Sequence, residues 1–121
     1  MNSVIKLKEN RDFRRAFARG KSFVASGVVI YVTKNRYNNV RLGITAGKKI
    51  GNAVSRNRAK RVITAAFRYC LPNLKAGYDI VVVARARVLS LKSNEVAVML
   101  KKQLMLAGVW DSDNKNEQTA Y

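Results

Sequence analysis

The sequence predicts one α+β domain, a two-layer sandwich of helices on a small mixed sheet in the order αββαβα, and three observations carry that prediction. Residues 23–33 and 40–46 are rich in β-branched side chains, which marks strands. Ala59, Val62, Ile63, Ala66, Phe67 and Cys70 repeat at helical i, i+3, i+4 spacing without a miss. Residues 78–84 form a nearly continuous apolar run, the pattern of a strand covered on both faces. With 121 residues, 48% of them hydrophobic, the chain is large enough for one core and no second domain is expected.

In chain order, Asn10 is placed to cap a helix over 11–19, with Asp12 in its first turn, an apolar stripe of Phe13, Ala16 and Phe17, and Gly20 as its stop. The strand at 23–33 puts Val28, Ile30 and Val32 on one face and Val29, Tyr31 and Thr33 on the other. Asn35, Asn38 and Asn39 mark a hairpin loop, so the strand at 40–46 is expected to pair antiparallel with the first. Gly47 and Gly51 bracket a turn, after which Ser55 is placed to cap the long helix ending near Cys70. Pro72 and Gly77 bound the loop before the apolar strand. Ser93 is placed to cap a last helix carrying Val96, Met99, Leu100, Leu104 and Ala107, stopped by Gly108. The folded domain is expected over 1–109, and residues 110–121 read as a polar, disordered tail holding Asp111, Asp113 and Glu117.

Charge separates this chain from an ordinary small domain. The net charge is +17, and between Asp12 and Asp79 fifteen Lys and Arg residues stand without one carboxylate. A folded domain with that field repels itself, so an external polyanion is implied, nucleic acid first. The densest stretch is KKIGNAVSRNRAKR at 48–61. At 100° per residue the arc opposite the apolar stripe of the long helix holds Asn57, Arg61, Thr64 and Arg68, with Arg58 and Lys60 flanking it. A solvated amphipathic helix would show Glu or Asp four residues from its bases; none is present. Arg at 56, 58, 61 and 68 favours bidentate phosphate contact, and phosphate contact points to recognition of a shaped RNA rather than a base-edge code. Phe13, Phe17 and Tyr31 could form a surface for stacking unpaired bases; for the two phenylalanines a place in the core is the other reading.

Several classes are excluded. The chain has no His, its single Cys70 lies on an apolar helix arc, and its carboxylates are scattered, leaving no acid–base pair, thiol nucleophile or metal-ligand cluster. Gly43, Gly47 and Lys48 miss the phosphate-loop spacing, and Lys49 stands where Ser or Thr is needed. No apolar run reaches membrane-spanning length, and the first residues lack the marks of a secretory signal. A lone Cys fits a reducing cytoplasm. A self-sufficient nuclease is therefore disfavoured. A ribosomal or DNA-binding protein is the alternative to an RNA-binding cofactor, although the basic helix lies between strands rather than in a helical bundle.

Residues 41–68, RLGITAGKKIGNAVSRNRAKRVITAAFR, closely resemble the signature of the bacterial ribonuclease P protein subunit, and NRDFRRAF at 10–17 and GYDIVVVAR at 77–85 extend the match in the same order. The resemblance implies a sandwich whose βαβ crossover through the basic helix is left-handed, against the usual rule. It implies a protein that binds a catalytic RNA and the 5′ leader of precursor tRNA, with magnesium in the RNA-containing holoenzyme, no cofactor held by the protein alone, and neither a protein partner nor a membrane required. Arg56, Asn57, Arg58, Lys60, Arg61 and Arg68 would then contact the catalytic RNA, with Lys48 and Lys49 in the adjoining loop. Phe13, Phe17 and Tyr31 match the leader-binding cleft, which implies partial exposure for the Phe pair.

Overall fold

Ile80, Val81 and Val82 are wholly buried, and a strand with no polar face must have neighbours on both edges and cover on both sides. That requirement organises the sheet. The computed structural model describes residues 4–111, with β1 (Ile5–Lys6), α1 (Asn10–Arg19), β2 (Lys21–Val24), β3 (Val28–Lys34), β4 (Val40–Thr45), α2 (Ala53–Cys70), β5 (Tyr78–Ala84) and α3 (Ser93–Leu106). Single 3₁₀ turns occupy Lys48–Ile50, Leu71–Asn73 and Ala86–Ser90. The sheet order is β1-β4-β5-β3-β2. β5 runs antiparallel to β3 and parallel to β4, and β1 adds in parallel to β4.

The antiparallel pairing expected between 23–33 and 40–46 is therefore incorrect, because β5 lies between those strands. The Asn-rich loop bridges the end of β5 instead of closing a hairpin. The Asn35 amide donates to the Gly77 carbonyl, and the Gly77 amide to that of Asn39, each at 2.9 Å. The stretch 23–33 also divides: Ala25, Ser26 and Gly27 turn the chain, and β2 folds back on β3 in a tight hairpin. With β1 added at the edge and the first expected strand split into β2 and β3, the order is βαβββαβα rather than αββαβα.

Alternation along the strands separates the two faces. Val28, Ile30 and Val32 of β3, Leu42 of β4, and Ile80 and Val82 of β5 pack against the buried stripe of α2 and against Val96, Leu100 and Leu104 of α3. These two layers hold most of the core. On the other face Leu7, Ala16 and Val81 form a smaller cluster joined by Phe13, Tyr31 and Val83, and α1 lies across only part of that surface.

Helix starts differ by a few residues from the expected caps. Asn52, not Ser55, caps α2, its Oδ1 accepting from the Ser55 amide at 2.9 Å. Asn10 and Ser93 are first helical residues rather than caps; at α3 the Glu95 carboxylate accepts from the Lys92 amide at 2.9 Å. Trp110, placed in the tail by its sequence context, is buried and bridged to Leu74, so ordered packing extends to it. The remainder of the expected tail, 112–121, lies outside the described residues.

Candidate nucleic-acid interface

The basic helix is held by its N-terminal turn. Ile50 is buried in the core and anchors the 3₁₀ turn, leaving Lys48 and Lys49 exposed. Gly51 follows at φ 131°, a conformation that side chains other than hydrogen rarely tolerate. The Arg56 guanidinium donates to the Gly51 carbonyl at 3.0 Å, which pins the first turn of α2 to this loop and leaves Arg56 half-buried. Asn57, Arg58, Lys60, Arg61 and Arg68 are exposed.

None of these eight residues joins an ion pair among the described residues; all four ion pairs belong to Arg11, Arg15 and Arg41. The helix dipole sharpens the imbalance. A helix N-terminus carries partial positive charge and favours anions, yet the first turn of α2 has no acidic residue and Arg56 and Arg58 follow directly. The site is set to accept external negative charge. Lys60, Arg61, Thr64 and Arg68 line a shallow depression of 320 Å³ together with Lys6 of β1. Lys6 was not among the candidate residues, since a two-residue strand leaves no periodicity to read.

The proposed aromatic cluster divides. Phe13 is half-buried, its ring close over Gly43: a Cβ there would lie 2.6 Å from Phe13 Cε1. Phe17 is 42% exposed and meets half-buried Tyr31 edge to face, ring centroids 4.9 Å apart. Beyond them Val29, Val83 and Thr45, paired across β3, β5 and β4, are half-exposed. Phe13 thus packs α1 onto the sheet, while Phe17 and Tyr31 present ring surface beside an apolar floor.

Arg41 is not one of the free cations its place in the acid-free tract suggested. Its Nε and Nη2 donate to the two oxygens of Asp79 at 2.8 and 2.7 Å, and Asp79 is only 1% exposed. Asn35 Nδ2 donates to the same carboxylate at 2.8 Å. The hydrogen bond to Asp79 holds the Arg41 pKa above its ordinary value against the opposing effect of burial. Asp12 lies 3.6 Å from Arg41 and 3.5 Å from Arg15. Asp12 and Asp79 are therefore committed to guanidinium groups, and among the described residues no group of three potential metal ligands exists. Cys70 is buried, and desolvation pushes its pKa up to about 12, so it is a packed thiol rather than a nucleophile. No helix among the described residues is long and apolar enough to cross a membrane.

A sandwich that displays unpaired cations on one helix and aromatic rings beside another, with no catalytic constellation among the described residues, is an RNA-binding α+β protein. The family model for ribonuclease P matches residues 1–107. The ribonuclease P protein component of Natranaerobius thermophilus is 41% identical over 87 residues, covering 72% of this chain and 76% of the relative. That of Clostridium botulinum strain 657 is 38% identical over 107 residues, covering 88% and 96%. Among solved structures, the Staphylococcus aureus RNase P protein superposes with a TM-score of 0.77 at 33% identity, covering 89% of this chain and 99% of that one. The Thermotoga maritima RNase P protein gives 0.71 at 31% identity, covering 81% and 94%. The chain belongs to the ribonuclease P protein family. It is a protein subunit of the ribonucleoprotein endoribonuclease that processes tRNA 5′ ends, in which the RNA performs catalysis.

Proposed function

We propose that the two surfaces divide the work of this subunit. Arg56, Asn57, Arg58, Lys60, Arg61 and Arg68, with Lys48 and Lys49 alongside, hold the catalytic RNA. Phe13, Phe17 and Tyr31 line the groove that receives the single-stranded 5′ leader of precursor tRNA, Phe17 and Tyr31 offering rings for base stacking and Phe13 fixing the wall. The observation that carries the reading is the α2 surface itself, exposed and without a counter-charge among the described residues. Magnesium is assigned to the RNA-containing holoenzyme, a reading supported by the engagement of Asp12 and Asp79 with arginines; no bond-making step is assigned to this chain. The particle works in the cytoplasm.

The protein lowers the electrostatic cost of bringing two polyanions together by placing unpaired cations against their phosphates. The test is cleavage of precursor tRNA at low magnesium. The purified chain alone leaves the substrate intact, and adding catalytic RNA restores release of the leader. Cleavage by the protein alone would overturn the proposal.

A further inference from the structure

At 100° per residue Phe13 and Phe17 leave one flank of α1, and Arg15 and Arg19 leave the other. On that second flank a groove of 980 Å³ opens between α1, β1 and the 35–39 loop. Nine Lys and Arg side chains line it against two carboxylates, Glu9 and Asp12. Both carboxylates are already paired, Glu9 with Arg11 at 2.7 Å and Asp12 with Arg15 and Arg41. Lys6, Lys8, Arg14, Arg19, Lys34 and Arg36 form no ion pair among the described residues. The groove is thus as unbalanced as the α2 face, and concave.

It also contains an aromatic platform. Tyr37 is 55% exposed, and the Arg41 guanidinium lies 4.6 Å from its ring centroid. Arg41 cannot drift, because buried Asp79 grips it through two hydrogen bonds. The loop cannot drift either: Asn35 accepts from the Tyr37 amide at 2.9 Å and donates to Asp79 and to the Asn39 carbonyl. A ring backed by a fixed cation and walled by exposed cations has the form of a stacking site for an unpaired base with its flanking phosphates. Pre-organisation of this kind reduces the ordering entropy of binding.

We propose that this groove is a second nucleotide site, in which Tyr37 stacks an unpaired RNA base and Lys34, Arg36 and Arg19 hold the adjoining phosphates. The proposal rests on the chain acting on RNA and extends that reading to the flank of α1 opposite the aromatic leader groove. Lys6 connects the two cationic regions, since it lines both this groove and the depression on α2. One RNA strand can therefore pass from Arg61 across the sheet edge to Tyr37. The strand comes from the catalytic RNA or from the substrate, and the experiment separates these.

Full-length chains carrying the photo-crosslinker p-benzoylphenylalanine at Tyr37, at Thr64 on α2, or at exposed Val98 on α3 are assembled with catalytic RNA and precursor tRNA, each RNA labelled in turn. Crosslinking from position 37 above the position 98 background supports the site, and the labelled RNA that carries the adduct identifies the source. Crosslinking from 64 without 37 overturns this site and leaves the α2 assignment standing. Failure at both positions overturns both. A second measurement uses affinity for that RNA: Tyr37→Ala is expected to weaken binding by about five-fold or more, and Tyr37→Phe to retain it. Equal affinities for the Ala variant and the parent would also overturn the proposal.

Discussion

Replacing Asp79 by Ala removes the carboxylate that accepts both Arg41 hydrogen bonds and one from Asn35. The guanidinium that remains is mostly buried, its side chain 15% exposed, and stripping one partner from a buried pair costs about 3–5 kcal/mol because a charge is left without its counter-charge. Asp12 still lies 3.6 Å from Arg41, so the lower end applies, about 3 kcal/mol. For a domain of this size each kcal/mol shifts Tm by about 4 °C, and the variant should unfold about 12 °C below the parent in calorimetry, with a matching loss in urea titrations. Substituting both partners, Arg41→Met with Asp79→Leu, should recover most of that loss, because the pair also carries a desolvation penalty that apolar residues avoid. An Asp79→Ala variant within 0.5 kcal/mol of the parent would refute the reasoning, as would a double variant no more stable than the single one.

Gly43→Ala would set a methyl 2.6–2.8 Å from the Phe13 ring and 3.0 Å from Leu7; displacing that ring should cost about 1–3 kcal/mol and weaken binding of leader-bearing RNA, and an unchanged urea midpoint would contradict the packing. Tyr31→Ala should lower affinity for precursor tRNA by about five-fold while sparing mature tRNA, and equal loss on both would exclude a leader-specific groove. Burial raises the Cys70 pKa from an ordinary 9.0 to about 12, so above pH 9 the unfolded chain loses this proton first. Stability then falls with rising pH by about 1.4 kcal/mol per unit through that window. Cys70→Ala should remove that component, seen as a smaller drop in unfolding free energy between pH 8 and 10.5 than in the parent.

The three helices and the strands β3, β4 and β5 were legible because each carries its own period, whereas two-residue β1 and the turn that separates β2 were not; the exposed face of α2 was legible too, since the apolar stripe from Ala59 to Cys70 determines what must point away. Neighbour relations were not. A loop from Asn35 to Asn39 suits a hairpin locally, and only the two-sided burial of β5 forces that strand between β3 and β4. The Arg41–Asp79 pair joins residues 38 apart in sequence, and local patterning makes such an arginine indistinguishable from a free one. The Tyr37 groove is assembled from β1, α1 and a loop, none of which shows the site alone. Phe13 and Phe17, four residues apart on one stripe, differ in burial, and the side-chain-free surface of Gly43 leaves room for the Phe13 ring.

The central claim is that unpaired cations on α2 neutralise RNA phosphates, and salt dependence measures it most directly. Six phosphate contacts on RNA lacking a regular duplex give a slope of log affinity against log salt of about −4, each contact adding about 0.7. Binding of the parent chain to catalytic RNA should follow that slope, and Arg58→Ala with Arg61→Ala should reduce its magnitude by about 1.4. A flat response in the parent, or an unaltered slope in the double variant, would contradict the account.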